Sequence, residues 1–207
     1  MTAAADGAAD AGGPARAALL VVDVQRDFLS PGLAELGAGY PDRVARLLDL
    51  ARTAGLLVVH VHSFFAPDQS DWMRRYRGRG RIPCVRGTEG AEVVPEALPV
   101  EGEAVVEKQS FDAFLRTDLH GRLRSADVEV LLVAGLVTST CVLFTATSAM
   151  QLGYQVAVVQ DAVADQPSVH KRVLGQYPFV FDRVTIDSAL VWAKDATALS
   201  PQLGPLR

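Results

Sequence analysis

The sequence predicts an α/β protein: a doubly wound, mostly parallel sheet with helices on both faces. Solid runs of aliphatic and β-branched residues alternate with amphipathic stretches, as in strands buried on both sides by crossover helices. Hydrophobic residues make up 49% of 207, enough for such a core and too many for a disordered chain. No repeat or long linker divides residues 16–207, which read as a single domain.

The elements follow in order. Ala17 to Val24 (AALLVVDV) is a strand, and Pro41 to Ala54 is a helix with Val44, Leu47, Leu48 and Ala51 on one stripe, stopped by Gly55. Leu56 to Val61 is the second strand and Ala104 to Glu107 the third. A helix through Leu119 and Leu123 follows, with Thr117 as its predicted N-cap. Val130 to Ala134 is a strand, Thr140 to Leu152 a helix ended by Gly153, and Gln155 to Gln160 a strand. Pro167 to Gln176 reads as a helix, Val180 to Val184 as the last strand and Ser188 to Lys194 as a closing helix. Ser63 to Gly90 is too long to be mere connection.

Composition excludes several functions. With 20 Lys and Arg against 24 Asp and Glu, and a formal net charge of −4, the whole chain is no polyanion binder. Two cysteines cannot build a disulfide framework, which points to a reducing compartment. Residues 1–15, mostly Ala and Gly, lack a basic start and a continuous apolar run; they read as a disordered tail rather than a secretory signal. Val130 to Gln160 carries no charge, but Gly135, the Thr138-Ser139-Thr140 run, Gln151 and Gly153 interrupt it too often for a membrane helix. A cytoplasmic protein with no membrane partner is expected.

In doubly wound sheets the binding crevice lies beyond the carboxyl ends of the strands, where strand order reverses. Asp23, Lys108 and Cys141 fall at or just beyond three such ends. A thiolate attacks where a thiol does not, and a helix N-terminus or a cation lowers its pKa. A carboxylate in reach takes and returns a proton, and a lysine beside it keeps it ionised. A lone cysteine in an apolar stretch is otherwise a small buried hydrophobe. Cys84 has no such setting and reads as structural or incidental.

The segments DVQRDF, GTEGAEVVPE, VVEKQSFDAF and VAGLVTSTCVLFTATSAMQLGYQVAVVQDAVAD, in this order and spacing, resemble the isochorismatase-like cysteine hydrolases from about Ala17 to Ala164. The resemblance implies a six-stranded parallel sheet and an Asp-Lys-Cys triad: Asp23 as base and later acid, Lys108 as supporting cation, Cys141 as nucleophile. It further implies a non-proline cis peptide at Leu136–Val137 and an oxyanion hole from the amides of Val137 and Cys141. One such donor stabilises a transition state by roughly 2.7–4 kcal/mol.

Relatives of this kind hydrolyse C–N bonds of small amides and carbamoyl compounds, or the vinyl ether of isochorismate, and the ether-cleaving members typically lack the cysteine. Cys141 therefore favours an amidohydrolase. The alternatives are an isochorismatase-type ether hydrolase with Cys141 as a bystander, or a non-catalytic domain that binds through arginines. The nicotinamidase branch needs a metal, but His60 and His62 lack the acid and third ligand of a closed site. No metal and no cofactor are expected, and His120 and His170 read as surface. Phe28 and Phe111, close in sequence to Asp23 and Lys108, are candidate walls for substrate. Arg74 to Arg81 holds five arginines in eight residues. Inside an acidic chain it reads as a solvated loop, a subunit contact, or a lid whose guanidinium fork grips a substrate carboxylate, and not as a nucleic-acid site. The expected partners are a small-molecule substrate and copies of the same chain, as a dimer or tetramer.

Overall fold

The structure, a computed structural model, describes residues 16–29 and 39–203. The tail expected at residues 1–15 lies outside the described residues. Six strands form one sheet: β1 (Arg16–Val22), β2 (Leu57–Ser63), β3 (Ala104–Lys108), β4 (Val128–Leu136), β5 (Gln155–Ala164) and β6 (Asp182–Val184), ordered β3-β2-β1-β4-β5-β6. Every pairing is parallel. The order runs outward from the middle in both directions, so the switch point lies between β1 and β4.

The helices are α1 (Tyr40–Thr53), α2 (Leu119–Ser125), α3 (Leu143–Gln151), α4 (Pro167–Gln176) and α5 (Ile186–Leu203). Period-two alternation in the strands sorts the core into two layers. Leu19, Val21 and Leu132 pack with Val44, Leu47 and Leu48 of α1 and Ile186 and Ala189 of α5. Leu20, Val22, Leu131 and Val133 pack with Leu119 and Leu123 of α2, Ala146 and Ala149 of α3 and Leu174 of α4. Both faces of the sheet are thus covered, as the solid apolar runs require.

Some boundaries differ from expectation. β4 and β5 are longer than their apolar runs. The β4–β5 pairing jumps from Val133↔Val158 to Gly135↔Val163, so β5 carries the extra residues as a bulge. The bulge is held by the Tyr40 hydroxyl on the Ala162 carbonyl, the Arg43 Nε on the Asp161 carbonyl, and the Asp161 carboxylate on the Ile186 amide. Polar Gln160 and Asp161 hid this extension from a periodicity reading. Asp118, not Thr117, occupies the cap position of α2, although the Thr117 hydroxyl still accepts the Leu119 amide at 3.3 Å. The predicted helix at Thr140 begins as a π-turn, Thr138–Val142, that leads into α3. The last strand is only Asp182–Val184, and α5 runs well beyond Ser188 to Lys194. Within the long loop, Arg74–Arg77 forms one helical turn and Phe65 bridges to Val85. Among the described residues no helix is long and apolar enough to cross a membrane.

Candidate active site

Asp23 directly follows β1 with φ 52°, a left-handed conformation that Asp tolerates better than most residues. Its amide donates to the Val61 carbonyl at 2.8 Å, which tilts the carboxylate out of the sheet end into the crevice. Lys108 is the last residue of β3, in register with Ser63 of β2. Its stem crosses Ser63, and its ammonium reaches Asp23 Oδ2 at 2.7 Å, Ser63 Oγ at 2.8 Å and the Ser110 carbonyl at 2.8 Å. The same ammonium lies 3.4 Å from Cys141 Sγ. Four acceptors around three N–H groups leave the sulfur the longest contact. Asp23 and Lys108 have no solvent exposure and Cys141 is 3% exposed, so the three side chains meet in a nearly dry site.

Cys141 sits in the π-turn after β4. The Leu136–Val137 peptide is cis, as the resemblance implied. The Val137 carbonyl accepts the Thr140 and Val142 amides, and Asp165 Oδ2 accepts the Ser139 amide at 2.8 Å. Thr138 Oγ1 and His170 Nδ1 share a hydrogen bond of 2.8 Å. Gly135 allows β4 to pass close to β1: a Cβ there would meet the Val22 carbonyl oxygen at 1.9 Å. Beyond β1, the Gln25 amide group holds the end of β2 through Ser63 on one side and the Ala91 carbonyl on the other.

The electrostatics correct one expectation. Burial pushes the Cys141 thiol up, the Asp23 carboxylate adds to the rise, and Lys108 opposes it without prevailing. The direction is opposite to the acidified thiol that the strand-end reading expected. Burial alone would lower the Lys108 ammonium, but Asp23 and Cys141 outweigh it and raise its pKa. Oδ1 of Asp23 is buried and accepts no hydrogen bond.

Phe28 and Phe111 both line a cavity of about 100 Å³ above Cys141. Sequence reasoning missed the other walls: Phe65, Met73, Tyr76, Ile82 and Pro83, with Ser63, Ser110 and Thr140. Phe111 stacks on Phe144 and meets Tyr76 edge-on. The long loop does cover the crevice, but through Met73, Tyr76, Ile82 and Pro83; none of its six arginines lines the cavity. Arg79 and Arg81 instead line an outer recess with Asp27, behind Tyr76, Ile82 and Pro83. A larger hollow of about 590 Å³, beside Ala17, Leu56 and Ala193, lies at the opposite ends of the strands, and another of about 500 Å³ lies between Phe64, Thr88 and Leu98.

His60 bonds through Nε2 to Glu103 at 2.8 Å, and Glu103 also takes both Arg52 nitrogens. Burial and the neighbouring His60 push the pKa of His62 down to about 4. No group of three His, Cys, Asp or Glu side chains able to hold a metal occurs among the described residues. His120 and His170 are half-buried rather than free surface residues; His120 Nδ1 pairs with the Tyr154 hydroxyl at 2.9 Å. Cys84 is fully buried, its amide on Asp27 Oδ2 at 2.7 Å, and burial pushes its thiol up as well. Asp165 was missed, although it ends β5 much as Asp23 ends β1, and the strand-end rule applied there finds it.

The Isochorismatase domain family matches residues 17–175. This chain belongs to the isochorismatase family. A maleamate amidohydrolase from Pseudomonas putida is 33% identical over 158 residues, covering 73% of each chain. An Arabidopsis thaliana relative, named a "probable inactive nicotinamidase", is 34% identical over 74% of this chain and 83% of its own. The crystal structure of an isochorismatase family protein from Desulfovibrio vulgaris superposes with a TM-score of 0.79 at 33% identity, covering 86% of this chain and 98% of the other.

Proposed function

We propose that this isochorismatase-family chain is a cysteine amidohydrolase, which cleaves the C–N bond of a small amide or carbamoyl compound through a thioester. One observation carries the reading: the Lys108 ammonium bridges Asp23 Oδ2 and Cys141 Sγ at 2.7 and 3.4 Å in a buried crevice. The named maleamate amidohydrolase among its relatives supports C–N cleavage.

Asp23 Oδ1 takes the thiol proton as Sγ attacks the carbonyl carbon, and the carbonyl electron pair moves onto oxygen. The Val137 and Cys141 amides are assigned to that oxyanion. The C–N bond then breaks, Asp23 returns its proton to the departing nitrogen, and ammonia or an amine leaves. Water enters, loses a proton to Asp23 and adds to the thioester carbonyl. The sulfur departs as thiolate and recovers the proton, so amide plus water gives acid plus ammonia or amine. Lys108 compensates the negative charge of Asp23 in the dry site.

The test is ammonia release from a panel of small amides and carbamoyl compounds, with Cys141→Ala and Asp23→Asn as controls. Turnover abolished in both variants is the expected result. Turnover that survives in Cys141→Ala sinks the thioester route and returns the ether-hydrolase reading, in which the sulfur is a bystander.

A further inference from the structure

The cavity above Cys141 is small and nearly without charge. Among the described residues its walls are five large apolar side chains, Tyr76, Pro83, Ser63, Ser110, Thr140 and the cysteine itself. Residues 30–38, outside the described set, carry no Lys, Arg or His. The Lys108 ammonium is not among these walls and is already shared among Asp23, Ser63, Ser110 and Cys141. No arginine lines the cavity among the described residues; Arg79 and Arg81 line a separate recess that shares Tyr76, Ile82 and Pro83 with it. That recess also holds the Asp27 carboxylate.

A carboxylate placed in the inner cavity would lose its water without gaining a cation. Such a burial costs several kcal/mol unless a partner compensates it. An apolar group gains roughly 0.8 kcal/mol for each CH₂ removed from water. Size adds a second limit: an apolar cavity of ~150 Å³ is enough for benzene. About 100 Å³ therefore holds roughly four carbons.

We propose that this site selects an uncharged amide with an apolar substituent of roughly four carbons, and rejects acid amides of the same shape. The inference rests on the hydrolase reading above for its chemistry and narrows it to a substrate class. The apolar walls grip the substituent, while Ser63, Ser110 and Thr140 are the small polar residues left among the walls for its amide end.

Two isosteric pairs test this on the unmodified protein. Isobutyramide matches oxamate in shape, and isovaleramide matches malonamate; only the charge differs. Ammonia release is measured for all four, and each is also used to protect Cys141 from alkylation, read by peptide mass spectrometry. The neutral member of each pair should give at least a tenfold higher kcat/KM and protect at a tenfold lower concentration. Equal or better turnover or protection by oxamate and malonamate overturns the proposed class, as does failure of both neutral amides to protect. If the neutral amides protect selectively but no amide is hydrolysed, the substrate class stands and the hydrolase reading falls.

Discussion

Lys108, at the end of an edge strand, places its ammonium 2.7 Å from Asp23 Oδ2 across the intervening strand, and neither side chain touches solvent. The ion pair couples β3 to β1 through the Ser63 hydroxyl of β2. It orients the carboxylate toward Cys141 and forms part of the structural framework at the same time.

Removing one member of this pair leaves the other buried and unpaired, which typically costs about 3–5 kcal/mol. Lys108→Ala should therefore lower unfolding stability by that order in a urea titration. Cys141→Ala removes one sulfur and no charge, so it should remain within about 1–2 kcal/mol of the parent while losing turnover. A Lys108→Ala protein as stable as the parent would show that the pair is not formed in solution.

Asp23 raises the Cys141 thiol pKa, so its neutralisation should lower it. Iodoacetamide should label Cys141 slowly at pH 7 and faster as pH rises. Asp23→Asn should label faster than the parent at pH 7 even though it turns nothing over. Slower labelling in that variant would contradict the electrostatic assignment.

Burial opposes ionisation of Glu103, but Arg52, the Val100 amide and His60 bring its pKa down to about 2. A carboxylate lowered from its unfolded value of about 4.5 contributes stability that is fully present above that pH and is lost as pH falls toward 2. Glu103→Gln should lower stability by about 1–3 kcal/mol at pH 7. The gap from the parent should close between pH 4.5 and pH 2 in melting scans. A gap independent of pH would assign the effect to packing.

A methyl group at Gly135 would collide with the Val22 carbonyl oxygen, at a φ of 120° that side chains rarely adopt. Gly135→Ala should cost about 4 kcal/mol or more, or prevent soluble expression. A stable Gly135→Ala protein would mean that β1 and β4 do not approach as closely as described.

Replacing Arg74, Arg75 and Arg77 together by Ser removes exposed groups that do not line the cavity. Turnover of a neutral amide should stay within about threefold, and binding to heparin or DNA at 150 mM salt should be undetectable in both proteins. Salt-dependent binding present in the parent and lost in the variant would restore a polyanion role.

The sequence by itself determined the strand and helix order, because strands buried on both faces must be written as solid apolar runs and each was bounded by Gly or polar residues. Asp23 was legible for a related reason: an acid at the end of a buried run stands out against its neighbours. Lys108 and Cys141 were legible only jointly with it, through the strand-end rule and the resemblance. Tertiary structure alone decided the cavity walls, since Met73, Tyr76, Ile82 and Pro83 come from a loop whose path follows no period. It also decided the direction in which the sulfur's pKa moves. A thiol's ionisation depends on how much water and how many opposing charges surround it in space, and sequence neighbours record neither.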